Sequence, residues 1–118
     1  MASGESQGAS GSERRRHPRC KVAAQLELHP PGAAVPIRTA TSEMSIGGCY
    51  VETMFTFAVG TTLAMTLWLD GEKVATTGRV ATCFPQVGNG IEFADLGDEN
   101  RKRLERFLAE HANDEGGA

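Results

Sequence analysis

Apolar and polar residues alternate along the middle of the chain, and a period of two is typical of half-buried β-strands. In the first run, every second residue from Val22 to Leu28 is apolar. Six such runs lie between turn residues and cover residues 22–28, 35–41, 49–53, 62–69, 72–83 and 88–93. Asp70-Gly71 separates two of them and is the strongest hairpin signal in the chain. The pattern predicts an all-β-dominated fold, a small six-stranded antiparallel β-barrel, because closure removes exposed strand edges.

Two features inside this pattern lead to more detailed predictions. Gly78 interrupts the longest run, and we expect a bulge or bend there that helps the sheet to curl. Phe55 and Phe57 lie in the loop before the fourth run, and we expect both rings to cover the core.

One C-terminal α-helix is predicted after the strands. Asp98 is a suitable N-cap, and we expect the helix to end near His111, before a glycine-rich tail. Apolar or aromatic side chains recur at helical spacing at Leu104, Phe107, Leu108 and His111. This face is expected to pack on the barrel, and contact with a helical partner is the alternative.

The length of 118 residues suits a single domain. Residues 1–12 are rich in Gly, Ser and Ala and are predicted to form a disordered tail, as are residues 113–118. The folded domain is therefore expected to span residues 13–112. No apolar run approaches the roughly 20 residues that span a bilayer, and the N-terminus has no apolar signal-peptide core. We expect a cytoplasmic protein without membrane insertion.

The formal net charge of −3 is unevenly distributed. Residues 1–22 carry five Lys or Arg against two Asp or Glu, whereas the remaining chain carries seven against thirteen. A general nucleic-acid binder is more often basic overall, so DNA or RNA is not the expected partner. The local basic segment favours one small anion that docks at one place.

Residues with catalytic or metal-binding chemistry form no convincing constellation in the sequence. The three cysteines are widely separated and include no C-x-x-C pair, and no histidine lies at metal-ligand spacing; these residues are Cys20, Cys49, Cys83, His17, His29 and His111. A Gly-x-Ser-x-Gly elbow, a Walker loop and a carboxylate dyad are also absent from the sequence. We therefore expect a protein that is not an enzyme and has no catalytic residues, no metal and no cofactor.

The stretch 42–48 is a polar corner between two strand-like runs. Gly47-Gly48 allows a sharp entry into the next strand, since glycine tolerates positive φ and lets another molecule approach the backbone. Glu43 and Ser45 are two positions apart and lie on the same side of an extended segment. Together they can bind a polar edge of a ligand, although a plain hairpin with solvated side chains would carry the same residues.

A short basic segment precedes the first strand and contains Arg14, Arg15, Arg16 and Arg19. Pro18 disfavours helix at the preceding residue, so the segment is expected to be an extended or turning strap. The planar guanidinium offers paired donors that match a phosphate or the O6/N7 edge of guanine. The alternative interpretation is a solvated basic arm.

Taken together, the strap and the corner resemble the PilZ family, whose members typically bind the bacterial second messenger cyclic di-GMP. The family signature is Arg-x-x-x-Arg followed, a few tens of residues later, by Asp/Asn-x-Ser-x-x-Gly. Arg15 and Arg19 fit the first part, and the stretch 43–48 fits the second. One position departs from the pattern, because Glu43 stands where the family usually has Asp or Asn. The resemblance runs from about Arg14 to the end of the helix.

The resemblance implies a set of ligand-binding residues, which are Arg15, Arg19, Glu43, Ser45 and Gly48, with weaker indications for Arg14, Arg16 and Gly47. In the family the arginines grip phosphates and guanine edges, and the second motif meets a guanine from the barrel surface. Many members also carry an aromatic or basic residue where this chain has Thr82, so one stacking surface is missing. Trp68 is interpreted as rim packing.

The leading hypothesis is a sensor in which cyclic di-GMP orders the arginine strap against the barrel and creates a surface for an unidentified downstream protein. A second hypothesis is a ligand-independent PilZ-like adaptor that acts through protein contacts. A third is a small nucleic-acid-binding barrel, which the acidic remainder of the chain and the lack of interleaved surface aromatics disfavour.

Overall fold

The computed structural model describes residues 19–117, and within this range the chain forms seven β-strands in one sheet and a single helix. The elements are β1 (Gln25–His29), β2 (Ile37–Ala40), β3 (Glu43–Ser45), β4 (Gly48–Glu52), β5 (Thr62–Leu69), β6 (Glu72–Phe84), β7 (Gly88–Phe93) and α1 (Asp98–Gly117). The strand-dominated antiparallel fold with one C-terminal helix is confirmed. The strand count is corrected from six to seven, because the polar corner contains a short strand of its own, β3.

The seven strands follow the order β2-β1-β5-β6-β7-β4-β3, and every neighbouring pair is antiparallel. The outermost strands, β2 and β3, are consecutive in the chain and are joined by Thr41 and Ser42 alone. The Thr41 amide donates to the Ala24 carbonyl at 3.0 Å, and the Ser42 amide donates to the Tyr50 carbonyl at 2.9 Å. The chain therefore passes from one end of the sheet to the other within two residues, which requires the sheet to curl into a barrel-like form.

Thr41 stabilises the passage from β2 to β3 through its buried side chain. Its hydroxyl donates to the Val22 carbonyl at 2.7 Å and accepts from the Ala24 amide at 2.9 Å. A buried hydroxyl is costly unless it is hydrogen-bonded, so both contacts favour this one geometry of the corner.

The inner face of the curled sheet and one face of α1 form the core. Its buried members include Leu26, Leu28, Met44, Val51, Leu63, Met65, Leu67, Val74, Val80, Ile91, Leu104 and Phe107. The strand residues among them recur with a period of two, as the alternating pattern predicts. Leu104 and Phe107 are buried and Leu108 packs against the cluster, so the apolar helix face does cover the sheet.

Both ends of α1 differ from the sequence-based prediction. The Arg101 amide donates to the Gly97 carbonyl at 2.9 Å, so Gly97 takes the N-cap position and Asp98 lies in the first turn. The helix continues to Gly117 instead of ending near His111. Its backbone thus includes most of the segment 113–118 that the sequence analysis assigned to a tail. In the described part of the chain, no helix combines the length and the apolar character that crossing a bilayer requires.

The hairpin at Asp70-Gly71 is confirmed. Leu69 pairs with Glu72, and the two turn residues have φ of 53° and 88°, the paired positive values of a type I′ turn. By contrast, the prediction that both loop phenylalanines cover the core is wrong for Phe55, whose side chain is 81% exposed. Phe57 is partly buried and packs against the core.

The prediction of a bulge at Gly78 is wrong. The register of β6 against β7 shifts between Val80 and Thr82, whereas Gly78 pairs regularly with Leu63 and Phe93. Gly78 is needed for a different reason, because a Cβ added there would collide with the Met65 sulfur and lie 2.6 Å from Cγ2 of Ile91. The glycine therefore allows close packing in the core.

We expect Gly78→Ala to destabilise the fold by about 1–3 kcal/mol, since it overpacks a filled core. Urea unfolding followed by circular dichroism measures this cost. In a Met65→Ala background, which removes the colliding sulfur, the same substitution should cost less. An equal cost in both backgrounds would show that the Met65 contact is not the reason for the glycine.

Candidate functional site

A groove of about 510 Å³ lies on the outer face of the sheet where β3, β4, β6 and β7 meet. Its lining residues include Arg19, Glu43, Ser45, Gly47, Gly48, Tyr50, Thr82, Phe84, Gly90 and Glu92. The volume lies within the range of about 300–1,000 Å³ that is typical of small-molecule sites.

The β3–β4 hairpin forms one side of this groove. Ser45 pairs with Gly48, so the connecting turn has only two residues, Ile46 and Gly47. The Gly47 amide donates to the Ser45 hydroxyl at 3.1 Å, a local contact that orients this side chain beside the turn.

Gly48 has a steric role that differs from the predicted one. It does not adopt positive φ, so the expected left-handed entry into the strand is wrong for this residue. A Cβ at this position would collide with the Ile91 carbonyl oxygen of the adjacent strand β7. The missing side chain therefore allows β4 and β7 to pair closely and leaves their backbone open to the groove.

Arg19 and Glu43 meet at the end of the groove beside β3. The Arg19 Nη1 lies 3.5 Å from the Glu43 Oε1, and the two side chains are 61% and 36% exposed. The backbone next to them is fixed by a reciprocal pair of hydrogen bonds, from Cys20 N to Met44 O at 2.8 Å and from Met44 N to Cys20 O at 2.9 Å. Since exposed ion pairs contribute little to stability, both charged groups are available to a ligand at small cost.

The structure brings together all the predicted site residues that it describes. Arg19, Glu43, Ser45, Gly47 and Gly48 line the same groove. The other predicted residues are Arg14, Arg15 and Arg16, and these lie outside the described residues. Arg19 and the polar corner, which are separated in sequence, thus meet at one place.

Sequence reasoning missed the two aromatic residues of the groove, Tyr50 and Phe84. Tyr50 and Thr82 both lie opposite Gly90, one from each neighbouring strand, and Phe84 lies opposite Gly88. Because Gly88 and Gly90 occupy alternate positions, the outer face of β7 is bare there. The spacing of these two glycines is the signal in the sequence that could have indicated a groove.

Thr82 lines the groove, and its hydroxyl accepts a hydrogen bond from the Gly90 amide at 3.2 Å. Because the residue is a threonine, it offers no ring on which a base could stack. Trp68 lies outside the groove and pairs across strands with Lys73, whose Nζ is 5.9 Å from the centre of the indole ring. This position agrees with rim packing.

Asn89 connects the groove to the β4–β5 loop. Its Oδ1 accepts from the Phe57 amide at 2.8 Å, and its Nδ2 donates to the carbonyls of Phe57 at 2.9 Å and Thr82 at 3.1 Å. The side chain is almost fully buried and uses both its acceptor and its donors. The loop is therefore held against the end of β6.

Cys49 lies beneath the groove with its side chain in the core. Burial raises the pKa of its thiol from 9.0 to about 12, because the low-dielectric interior disfavours the thiolate. The thiol is therefore protonated near neutral pH and a poor nucleophile. Among residues 19–111, no group of three or more His, Cys, Asp or Glu side chains is arranged to hold a metal ion.

The sequence matches the PilZ domain model over residues 13–110. The chain belongs to the PilZ domain family. A comparison with curated proteins finds no match.

Solved structures support the same fold for this PilZ domain. The PilZ domain of YcgR from Escherichia coli, solved with c-di-GMP, is 12% identical with a TM-score of 0.70, and the match covers 86% of this chain and 93% of that one. The inhibitor of motility MotI/DgrA from Bacillus subtilis is 20% identical with a TM-score of 0.70, over 85% of this chain. This PilZ domain spans only 52% of the MotI chain. At these identities the likeness shows the fold alone.

We expect the buried Cys49 thiol of this PilZ domain to make stability fall at alkaline pH. Above about pH 9 the unfolded chain loses the thiol proton while the folded chain retains it, so the free energy of unfolding should decrease by up to about 1.4 kcal/mol per pH unit. Urea unfolding at several pH values measures the slope.

Cys49→Ala should show a shallower decline above about pH 9, because it lacks the titrating group. Cys83→Ala removes a less buried thiol and serves as the matched control, which should retain the wild-type slope. Identical slopes in the wild type and Cys49→Ala would contradict the assignment.

Proposed function

We propose that this PilZ domain binds cyclic di-GMP in the groove and acts as a sensor or adaptor rather than as an enzyme. The observation that carries the proposal is the meeting of Arg19, Glu43, Ser45 and Gly48 in one groove. These are the residues that the two family motifs place on the ligand. The c-di-GMP complex of YcgR, which has the same fold, adds support.

The chemistry of the groove fits a guanine nucleotide with phosphates. A carboxylate accepts two hydrogen bonds, and the N1–H and N2–H₂ edge of guanine offers paired donors to Glu43. The Arg19 guanidinium matches a phosphate or the O6/N7 edge. Because Arg19 and Glu43 are 3.5 Å apart and partly exposed, a ligand that contacts both replaces a weak ion pair with two charge-assisted contacts.

Glu43 in place of Asp or Asn is compatible with this role. The longer side chain loses more rotamer entropy on binding, up to about 1 kcal/mol.

We further propose that binding orders the strap that precedes Arg19 and so creates a surface for a downstream protein. Arg15 is the first arginine of the Arg-x-x-x-Arg motif, and we propose that it contacts the ligand when the strap closes over the groove. The backbone pairing of Cys20 with Met44 supports this step, because it anchors the strap beside β3.

A second candidate function is a ligand-independent adaptor. Large apolar side chains are exposed in the β4–β5 loop and at the β6–β7 turn, at Met54, Phe55, Val59, Phe84 and Val87. An apolar surface of this kind suits contact with another protein. Absence of any binding heat with cyclic di-GMP, for a demonstrably folded sample, would favour this function over the sensor.

We expect Arg19→Ala to weaken cyclic di-GMP binding at least about tenfold, since it removes a charge-assisted contact worth about 1.5–3 kcal/mol. Glu43→Gln should also weaken binding, because the amide offers one acceptor oxygen in place of two. Isothermal titration calorimetry measures both effects.

Arg38→Ala is the matched control. The Arg38 Nε lies 2.8 Å from the Glu27 Oε2, and this pair lies outside the groove, so the variant should bind cyclic di-GMP as the wild type does. Wild-type affinity in Arg19→Ala would overturn the proposed site.

We expect cyclic di-GMP to protect the strap from trypsin, which cleaves after Arg and Lys. If the strap closes over the ligand, cleavage after residues 14–16 should slow at saturating ligand, as followed by mass spectrometry. GMP, which carries one base and one phosphate, is the control and should protect less. Equal cleavage rates with and without bound cyclic di-GMP would contradict the ordering of the strap while leaving ligand binding intact.

A further inference from the structure

Two aromatic rings lie together in the groove. Tyr50 and Phe84 both line the groove, and their ring centroids are 6.4 Å apart with an interplanar angle of 53°. Phe84 is 55% exposed, so burial in the core does not account for its position. An exposed ring that lines a groove offers a stacking surface for a ligand base.

The Tyr50 ring lies over the backbone of Gly88 and Gly90, which have no side chains. A Cβ added at Gly88 would lie 2.5 Å from the Tyr50 hydroxyl oxygen and 2.7 Å from its Cζ, and one added at Gly90 would lie 3.9 Å from its Cδ1. The ring therefore lies along β7 over the space that the two glycines leave. A ring fixed before binding loses little entropy when a ligand stacks on it.

The same ring is next to the carboxylate that we assign to the guanine edge. Tyr50 lies directly opposite Glu43 in the antiparallel β3–β4 pair, so the two side chains project from the same face as neighbours. A base whose edge is bound by Glu43 thus has an aromatic surface within reach. Thr82, on the other side of Gly90, offers no ring for this purpose.

We propose that Tyr50 and Phe84 form the stacking surface for a purine base of the ligand. This inference rests on the proposed function and names the residues that hold the base by its face rather than by its edge. Tyr50 alone has a structural explanation, since an aromatic residue that covers strand glycines stabilises a sheet. That explanation leaves Phe84 exposed. Phe84 is also part of the apolar surface of the second candidate function, and the tests below separate base stacking from that role.

The first test compares two phenylalanines by calorimetric titration with cyclic di-GMP. Phe84→Ala should weaken binding about fivefold or more, because base stacking on an aromatic side chain is worth that much affinity. Phe84→Leu, which keeps apolar bulk without a ring, should also bind more weakly than the wild type. Phe55→Ala is the matched control, because Phe55 is 81% exposed and does not line the groove.

The second test measures the environment of the Tyr50 ring by NMR in the wild-type protein, so no substitution in the sheet is needed. Tyr50 is the single tyrosine of the chain, so its ring proton resonances can be followed by NMR in the whole protein. A purine stacked on the ring should shift these resonances upfield as cyclic di-GMP saturates the site. Trp68, the single tryptophan, lies outside the groove and should not shift.

The outcomes separate this inference from the proposed function. Weaker binding by Phe84→Ala together with an upfield shift of the Tyr50 ring supports the stacking surface. If the wild type binds and Arg19→Ala does not, but Phe84→Ala binds as the wild type or the Tyr50 resonances do not move upfield, the stacking surface is overturned and the function stands. Failure of the folded wild type to bind cyclic di-GMP overturns both.

Discussion

The two-residue passage from β2 to β3 is the constraint on which the rest of the structure depends. Thr41 and Ser42 carry the chain from one end of the sheet to the other, and the buried Thr41 hydroxyl is held by two backbone groups of the neighbouring segment. Because the chain cannot span a flat sheet in two residues, the sheet must curl. The curl brings β3 beside β4 and presents its outer edge to the segment that contains Cys20, which pairs with Met44.

The groove follows from this arrangement and from missing side chains. Gly48 and Gly90 lie on adjacent strands and line the groove, and Gly88 leaves room for the Tyr50 ring. The groove is lined by the charged side chains of Arg19, Glu43 and Glu92 and by the aromatic rings of Tyr50 and Phe84. This combination suits a ligand that has both phosphates and flat bases. In the function that we propose, electrostatic attraction from Arg19 acts on the phosphates, and the rings add a stacking surface that does not depend on charge.

The comparisons illustrate how far a fold constrains a function. Chains that are 12–20% identical share this architecture, because a curled sheet needs a period-two pattern and a few close approaches rather than particular residues. The ligand site depends on single side chains, so it is less constrained by the fold. Glu43 is an example, since it keeps a carboxylate at the motif position while its length allows contact with Arg19 at 3.5 Å.

The sequence by itself determined the features that depend on neighbouring residues. These are the alternating strands, the Asp70-Gly71 hairpin, the apolar helix face and, among the described motif residues, those that line one groove, which are Arg19, Glu43, Ser45 and Gly48. Tertiary structure alone decided the features that depend on which strands lie side by side. The seventh strand, the steric reason for Gly78 and the meeting of the Tyr50 and Phe84 rings in the groove all require the cross-strand register. Register depends on the packing of the whole sheet, and local periodicity does not encode it.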